Sequence, residues 1–188
     1  MEEKHSRKRE FILKAVQEAL DEYEYSQFTI EDIAIRAGVG KSTIYRWWKH
    51  KSDLVFDAFK LQTESIFILD FDESLKFNLN RQLIKLSLAL TTGVGRALLV
   101  VMAEHREAAG NFFKEYLLPR REQTRKLIGM AIERKELVPD YAFEMMLDTL
   151  YATIHYQIIF FNRVPDQTYI KKLIDFVIAP VLVRHTSS

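Results

Sequence analysis

The sequence predicts an all-α protein. A three-helix N-terminal unit with a helix-turn-helix plan, residues 1–52, precedes a larger helical domain, residues 53–188. Three observations carry that expectation. Apolar residues recur at intervals of three and four, and no stretch of useful length alternates every second residue. Gly, Pro and short polar clusters fall between the periodic segments. A chain of 188 residues that is 48% hydrophobic can bury a real core and fills one or two domains.

The elements follow in order. Phe11, Ile12, Ala15, Val16, Ala19 and Leu20 form a stripe that predicts a first helix over about residues 6–22. Thr29 suits the N-cap of a second helix, 30–37, with Glu31 and Asp32 placed to complement its dipole. Gly38 is its stop signal, and a short third helix runs over about 41–47. A fourth opens near Ser52, read as an N-cap with Asp53 behind it. "DFDES", "TTGVG", "AAGN" and two copies of "VPD" then mark junctions, giving helices over roughly 53–69, 74–91, 96–107, 111–135, 141–162 and 168–184. Asp140 and Asp166 are expected as caps. Pro119 and Pro180 lie inside expected helices, and each should kink its helix or mark a break. Only Ser187 and Ser188 look disordered.

Composition excludes several function classes. Without cysteine there are no disulfides, thiolate metal sites or cysteine nucleophiles. The start, "MEEKHSRKRE", is too polar for a signal peptide, and no apolar run reaches the roughly 18 residues of a membrane span. A soluble, cytoplasmic protein with no membrane partner is expected. His105, His155 and Glu104 lack metal-ligand spacing, and no Ser/His/Asp set or carboxylate pair stands out, so neither an enzyme nor a cofactor is expected.

"GVGKST", residues 38–43, resembles the end of a nucleotide-binding loop. The full pattern requires glycine at position 35, which is Ile35, and a strand before the loop. The preceding Ile30, Ile33, Ala34 and Ala37 are at helical spacing instead, so the glycines read as a turn between helices.

Net charge is +1, yet from Ile33 to Ser52 every charged side chain is basic: Arg36, Lys41, Arg46, Lys49 and Lys51. Helix, glycine turn and basic second helix make the helix-turn-helix plan, whose second helix enters a DNA major groove. Ala34 permits a close helix crossing, and Val39 and Ile44 fill the space between the helices. Ile44 and Trp48 share the inward face, which leaves Lys41, Ser42, Tyr45 and Arg46 outward, suited to base edges and phosphates. A protein-binding scaffold using the same face is the alternative. Lys49 and Lys51 could be ordinary solvated charges, and Tyr45 could pack at the domain edge.

The segment "FTIEDIAIRAGVGKSTIYRWWKHKSDLV" resembles the DNA-binding segment of the TetR family of bacterial transcriptional regulators. Thr29, Ala34, Gly38, Val39, Thr43, Tyr45, Trp48 and Lys51 fall on that family's pattern. Trp48 stands where Phe is usual, and Trp47 where His or Tyr is frequent. "NFFKEYLLPRREQTRKLIGMAIERKEL" resembles the seventh helix of many members, including its proline. The resemblance implies phosphate contacts by Thr29, Thr43, Tyr45 and Lys51, base-edge contacts by Lys41, Ser42 and Arg46, and Trp47 at the groove wall. It also implies a double-stranded DNA operator, a repressor role, and an unknown small-molecule effector bound in the second domain.

Met102, His105, Phe112, Phe113, Tyr116, Met130, Tyr151 and His155 are candidates to line an effector pocket, although such residues at helical spacing also build plain core. The apolar, aromatic character of the domain favours a hydrophobic or aromatic effector. The helix 141–162 is apolar nearly all round and the last helix carries one apolar stripe. Ile154, Ile158, Phe161, Ile170, Ile174, Val177 and Val181 are therefore expected at a two-fold homodimer interface, with burial in a single core as the alternative.

Overall fold

The computed structural model describes residues 2–182, with side chains from Ser6 onward. Its helices are α1 (Glu2–Glu22), α2 (Ile30–Arg36), α3 (Lys41–Trp47), α4 (Lys51–Thr63), α5 (Leu75–Thr91) and α6 (Gly93–Glu104), then α7 (Arg106–Phe112), a π-helical segment (Phe113–Leu117), α8 (Leu118–Glu133), α9 (Phe143–Phe161) and α10 (Gln167–Ile178). A 3₁₀ turn, Ala179–Val181, ends the described chain. Among the described residues no strand forms. One isolated antiparallel bridge joins Leu137 to Leu182, beside a bond from Val138 N–H to the Val181 carbonyl, 2.9 Å. Positions 183–184 of the expected last helix, and Ser187 and Ser188, lie outside the described residues.

The chain divides into two compact units, residues 1–65 with 89–117 and residues 66–88 with 118–188. This division in space cuts the chain elsewhere than at residue 52.

In the first unit α4 is central. Leu54, Val55, Phe56, Ala58 and Phe59 are buried on it, too many for one stripe, so it is covered on more than one side. The buried stripe of α1 is Ile12, Leu13, Ala15, Val16, Ala19 and Leu20, whereas Phe11 is 67% exposed. Phe11 and Leu13 are both apolar neighbours of Ile12, and periodicity could not choose between them. Ser52 is buried at the second position of α4 rather than capping it, and the Asp53 carboxylate accepts from the His50 N–H instead, 3.0 Å.

The start of α6 fixes the unit's geometry. Thr92 caps it, accepting from Gly95 N–H at 3.1 Å and sharing a hydrogen bond with Gln62 of α4. Gly93 lies against the end of α1, its N–H donating to Asp21 Oδ1 at 2.9 Å. A Cβ on Gly93 would stand 1.9 Å from the Leu20 carbonyl oxygen, so only glycine permits this backbone-to-backbone contact.

One expectation fails in the middle of the chain. "AAGN" is not a junction. Gly110 lies inside α7, and the break falls at His105, which leaves helical geometry at φ −118°, ψ 75°. The kink expected from Pro119 takes the form of the π-helical segment just before it. Proline lacks an N–H and its ring crowds the carbonyl four residues back, that of Glu115, and a wider turn relieves both conflicts.

In the second unit Arg121 and Arg125 of α8 grip the start of α9. Arg121 reaches Glu144 at 2.6 Å and Asp148 at 2.7 Å, and Arg125 reaches Glu144 at 2.6 Å. Asp166 caps α10 as expected, accepting from Tyr169 N–H at 2.7 Å, but Asp140 caps nothing and Ala142 precedes α9. Asn78, fully buried, is satisfied by the backbone N–H and carbonyl of Asp70, both at 2.8 Å, and by the Ser74 carbonyl at 3.0 Å.

The expected self-association residues differ in their burial. Ile154, Ile170, Ile174, Val177 and Val181 are buried within their own chain, where α9 packs on α10. Ile158 is half-buried, and Phe161 is exposed together with Met145, Tyr156, Ile159 and Phe160 on α9 and Phe176, 80% exposed, on α10.

The glycines give a paired test. Gly93→Ala should lower the melting temperature sharply, by the equivalent of about 1–3 kcal/mol of overpacking. Gly129→Ala, mid-helix in α8 with nothing within 4 Å of its would-be Cβ, should stabilise by about 0.5–1 kcal/mol. Calorimetry on the two variants checks both signs.

Candidate nucleic-acid interface

Thr29 starts α2 by accepting from Asp32 N–H at 3.2 Å, while its hydroxyl donates to the Asp32 carboxylate at 2.8 Å. After α2 the chain turns through Gly38 at φ +61°, a left-handed conformation that glycine adopts freely. Val39 N–H closes the turn on the Ala34 carbonyl, 2.9 Å. The glycines of "GVGKST" thus join two helices, and Ile35 is an 80% exposed residue inside α2, as the sequence suggested in setting the nucleotide loop aside.

Ile33 and Ile44 face inward at 0% exposure, and Trp48 is buried at the end of α3. A buried indole N–H needs an acceptor. Trp48 Nε1 donates to Asp57 Oδ2 of α4 at 2.7 Å, and Asp57 is also paired with Arg9 of α1 and, at 3.2 Å, with Lys60. Burial raises the Asp57 pKa, but the Trp48 N–H and the charges of Arg9 and Lys60 outweigh it and hold the carboxyl below its usual range. This carboxylate ties α1, α3 and α4 together. Sequence reasoning missed it, although the buried tryptophan was a signal that an acceptor had to exist.

The outward face of α3 carries Lys41, Ser42, Tyr45 and Arg46, all exposed, with Thr43 and Trp47 at its margins partly covered. Trp47 packs edge-on to Trp48, ring centroids 5.5 Å apart. Thr29 is exposed at the start of α2.

The five cations of the basic run are not equivalent. Arg36 is held by Glu22 through two bonds, 3.0 and 2.5 Å. Lys41 pairs with Glu31 at 2.5 Å, and that hydrogen bond raises its pKa. Lys51 donates to the carbonyls of Tyr25 at 2.7 Å and Phe28 at 3.3 Å, and its ammonium stands 4.2 Å from the Tyr25 ring centroid. Burial pushes the Lys51 pKa down, opposed by the charge of Glu104. Among the described residues, Arg46 and Lys49 are the members of the run whose charged heads make no hydrogen bond or ion pair, and both are exposed.

The eight pocket candidates are divided between the two units. In the first, Phe112 stacks on Phe56 and on Tyr116, each at 4.9 Å, and the Tyr116 hydroxyl meets that of Thr63. Phe112 and Tyr116 are thus packed against their own unit's side chains. His105 is exposed, Phe113 is 43% exposed and Met102 is half-buried. An open cleft of about 1710 Å³ in this unit is lined by Tyr25, Trp47, Lys51 and Glu104 among others, and of the candidates it reaches His105 and Phe112. In the second unit Tyr151 donates to Gln82 at 3.0 Å, with its pKa pushed up to about 12 by burial. His155 Nδ1 lies 2.7 Å from the Tyr151 carbonyl, and Met130 is half-buried. No group of three or more metal-ligating side chains occurs among the described residues.

A glycine-turned helix pair with a polar, basic outer face defines the class of helix-turn-helix regulators. Comparison with known proteins specifies the family. Residues 12–58 match the bacterial regulatory proteins of the tetR family, and residues 75–177 match the tetracyclin repressor-like C-terminal domain. The chain therefore belongs to the TetR family of transcriptional regulators, a non-enzymatic class. It is 26% identical over 167 residues to the HTH-type transcriptional regulator YdeS of Bacillus subtilis (strain 168), covering 87% of this chain and 84% of that one. It is 25% identical over 177 residues to an HTH-type regulator of Mycobacterium tuberculosis (strain ATCC 25618 / H37Rv), covering 93% and 88%. In fold it is similar to the TetR family transcription regulator SCO0332, with a TM-score of 0.74 at 23% identity and coverage of 94% and 99%. SmeT, the repressor of a Stenotrophomonas maltophilia multidrug efflux pump, gives 0.60 at 18% identity, covering 96% and 93%.

The Asp57 junction has a pH signature. Its folded pKa lies below the model-peptide value near 3.9, so its stabilisation is complete above that value and is lost as pH falls through the lowered one. Asp57→Asn should melt well below the wild type at pH 7, and the gap should close as the pH falls through the lowered Asp57 pKa. A gap constant across that range would remove the carboxylate charge as its cause.

Proposed function

We propose that this regulator is a homodimeric, cytoplasmic repressor that grips a near-palindromic operator and is released by a small hydrophobic or aromatic effector. The observation that carries the reading is the pairing of two uncovered surfaces in one chain. One is the polar face of α3, with Ser42, Tyr45 and Arg46. The other is the apolar face of α9 and α10, with Met145, Tyr156, Ile159, Phe160 and Phe176. An apolar face of that extent on a water-facing helix pair calls for a covering partner. A second copy related by a two-fold axis covers it with the same residues. Two α3 helices then meet two half-sites about one helical turn apart.

In this reading Thr29, Thr43 and Tyr45 hold phosphates, and Lys41, Ser42 and Arg46 face base edges beside Trp47. Lys41 must leave Glu31 to do so. An effector lowers operator affinity only to the extent that it binds the spread arrangement of the two heads better. The largely apolar and aromatic interior supports the effector class. Among the described residues no single helix is long and apolar enough to cross a membrane.

Two measurements test this. Selection from a random duplex pool at moderate salt should recover an inverted repeat, and Tyr45→Ala should abolish the enrichment. A pool without enrichment would favour a protein-binding role for the same face. In light scattering, a chain carrying Phe160→Glu and Phe176→Glu should run at half the wild-type mass. An unchanged mass would place the self-association surface elsewhere.

A further inference from the structure

The basic run of the DNA-binding head contains two lysines two residues apart, Lys49 and Lys51, and the structure treats them oppositely. Lys51 is the first residue of α4, where the positive end of the helix dipole makes a cation unwelcome. Its side chain nevertheless turns inward, onto the connection between α1 and α2. There it donates to the Tyr25 and Phe28 carbonyls at 2.7 and 3.3 Å, and its ammonium lies over the Tyr25 and Phe28 rings, 4.2 and 5.3 Å from their centroids. Among the described residues no backbone N–H bonds to either carbonyl. Phe28 is 1% exposed and immediately precedes Thr29, the cap of α2. Two of the three ammonium protons are therefore committed, and what they hold is the point from which α2 departs. Lys49 lies between the end of α3 and α4, is exposed, and among the described residues has no hydrogen-bond or ion-pair partner.

We propose that Lys51 is a positioning residue that clasps the α1–α2 connection to α4, and that Lys49 is the lysine of this segment that meets DNA phosphate. The assignment rests on the DNA-binding reading above and departs from what family resemblance implies for Lys51. The clasp sets where α2 begins, and through the Gly38 turn it sets how α3 is presented. Lys49 carries its charge from the link just after α3, free to move to a phosphate without breaking a bond.

The two roles differ in salt dependence. Each lost phosphate contact lowers the slope of log K against log salt by about 0.9, hence by about 1.8 in a two-fold dimer. Affinity for a selected operator should be measured from low to moderate salt for the wild type, Lys49→Met, Lys51→Met, Lys51→Gln and Lys51→Arg. Lys49→Met should flatten the slope by about 1.8. Lys51→Met should bind about tenfold more weakly at every salt concentration with the wild-type slope, because two carbonyls lose their donors. Lys51→Arg, which offers several N–H donors, should restore most of that loss. Lys51→Gln, an uncharged donor, covers the case in which the methionine variant does not fold, and it too should keep the wild-type slope. A slope flattened by Lys51→Gln or Lys51→Met and untouched by Lys49→Met would overturn the assignment. So would wild-type affinity in Lys51→Met. A wild type that selects no sequence at all defeats the DNA-binding reading itself, and this inference falls with it.

Discussion

A helix of seven residues closes too few hydrogen bonds to survive alone in water, because nucleation is costly and isolated helices shorter than about 12–15 residues are marginal. Both helices of the helix-turn-helix, α2 and α3, are seven residues long. Their existence therefore depends on what they bury and what caps them. Ile33, Ile44 and Trp48 supply the burial, Thr29 and Gly38 set the ends, and Asp57 ties the end of α3 to α4 and α1. The outer face is free to be polar because the inner face does all the holding. The contact of Gly93 on Leu20 extends the same dependence to α6, which meets both α1 and α4 at its first turn.

Charge in this head is sorted by position rather than by sum. Exposed ion pairs such as Lys41–Glu31 and Arg36–Glu22 contribute little to stability, because water and salt screen them. Their consequence lies elsewhere, in which cations are available to an incoming polyanion. Glu22 belongs to α1 and Glu31 to α2, yet they determine the availability of Arg36 and Lys41. A polyelectrolyte partner meets the unpaired heads first and must compete for the rest.

The end of the chain shows one sequence feature answering two needs. Helix α9 is apolar around most of its circumference. Leu147, Leu150 and Ile154 on one side complete the core of the second unit with Ile170 and Ile174 of α10, while Met145, Tyr156 and Phe160 on the other are left to solvent. The same division separates the aromatic residues of the first unit. Phe112 and Tyr116 stack into the core beside Phe56, and Phe113, the next residue after Phe112, is exposed because it lies about 100° further round the helix.

The sequence by itself determined the all-α class, the bounds of α2 and α3 within a residue, the caps Thr29 and Asp166, the turn at Gly38 and the outward set Lys41, Ser42, Tyr45 and Arg46. These are local matters: 3.6-residue periodicity, cap chemistry and a glycine conformation act within a few residues. It placed the junction near residue 110 wrongly because a glycine without neighbours carries no obligation to stop a helix. It misassigned Ser52 because a serine near a helix start can be either a cap or a buried small residue. Only the tertiary structure decided which half of an all-round apolar helix is core, which of the lysines at 49 and 51 is bound inward, and that Trp48 meets Asp57. Each of these depends on a partner from another helix, and a single chain of letters does not say which side of a helix that partner will cover.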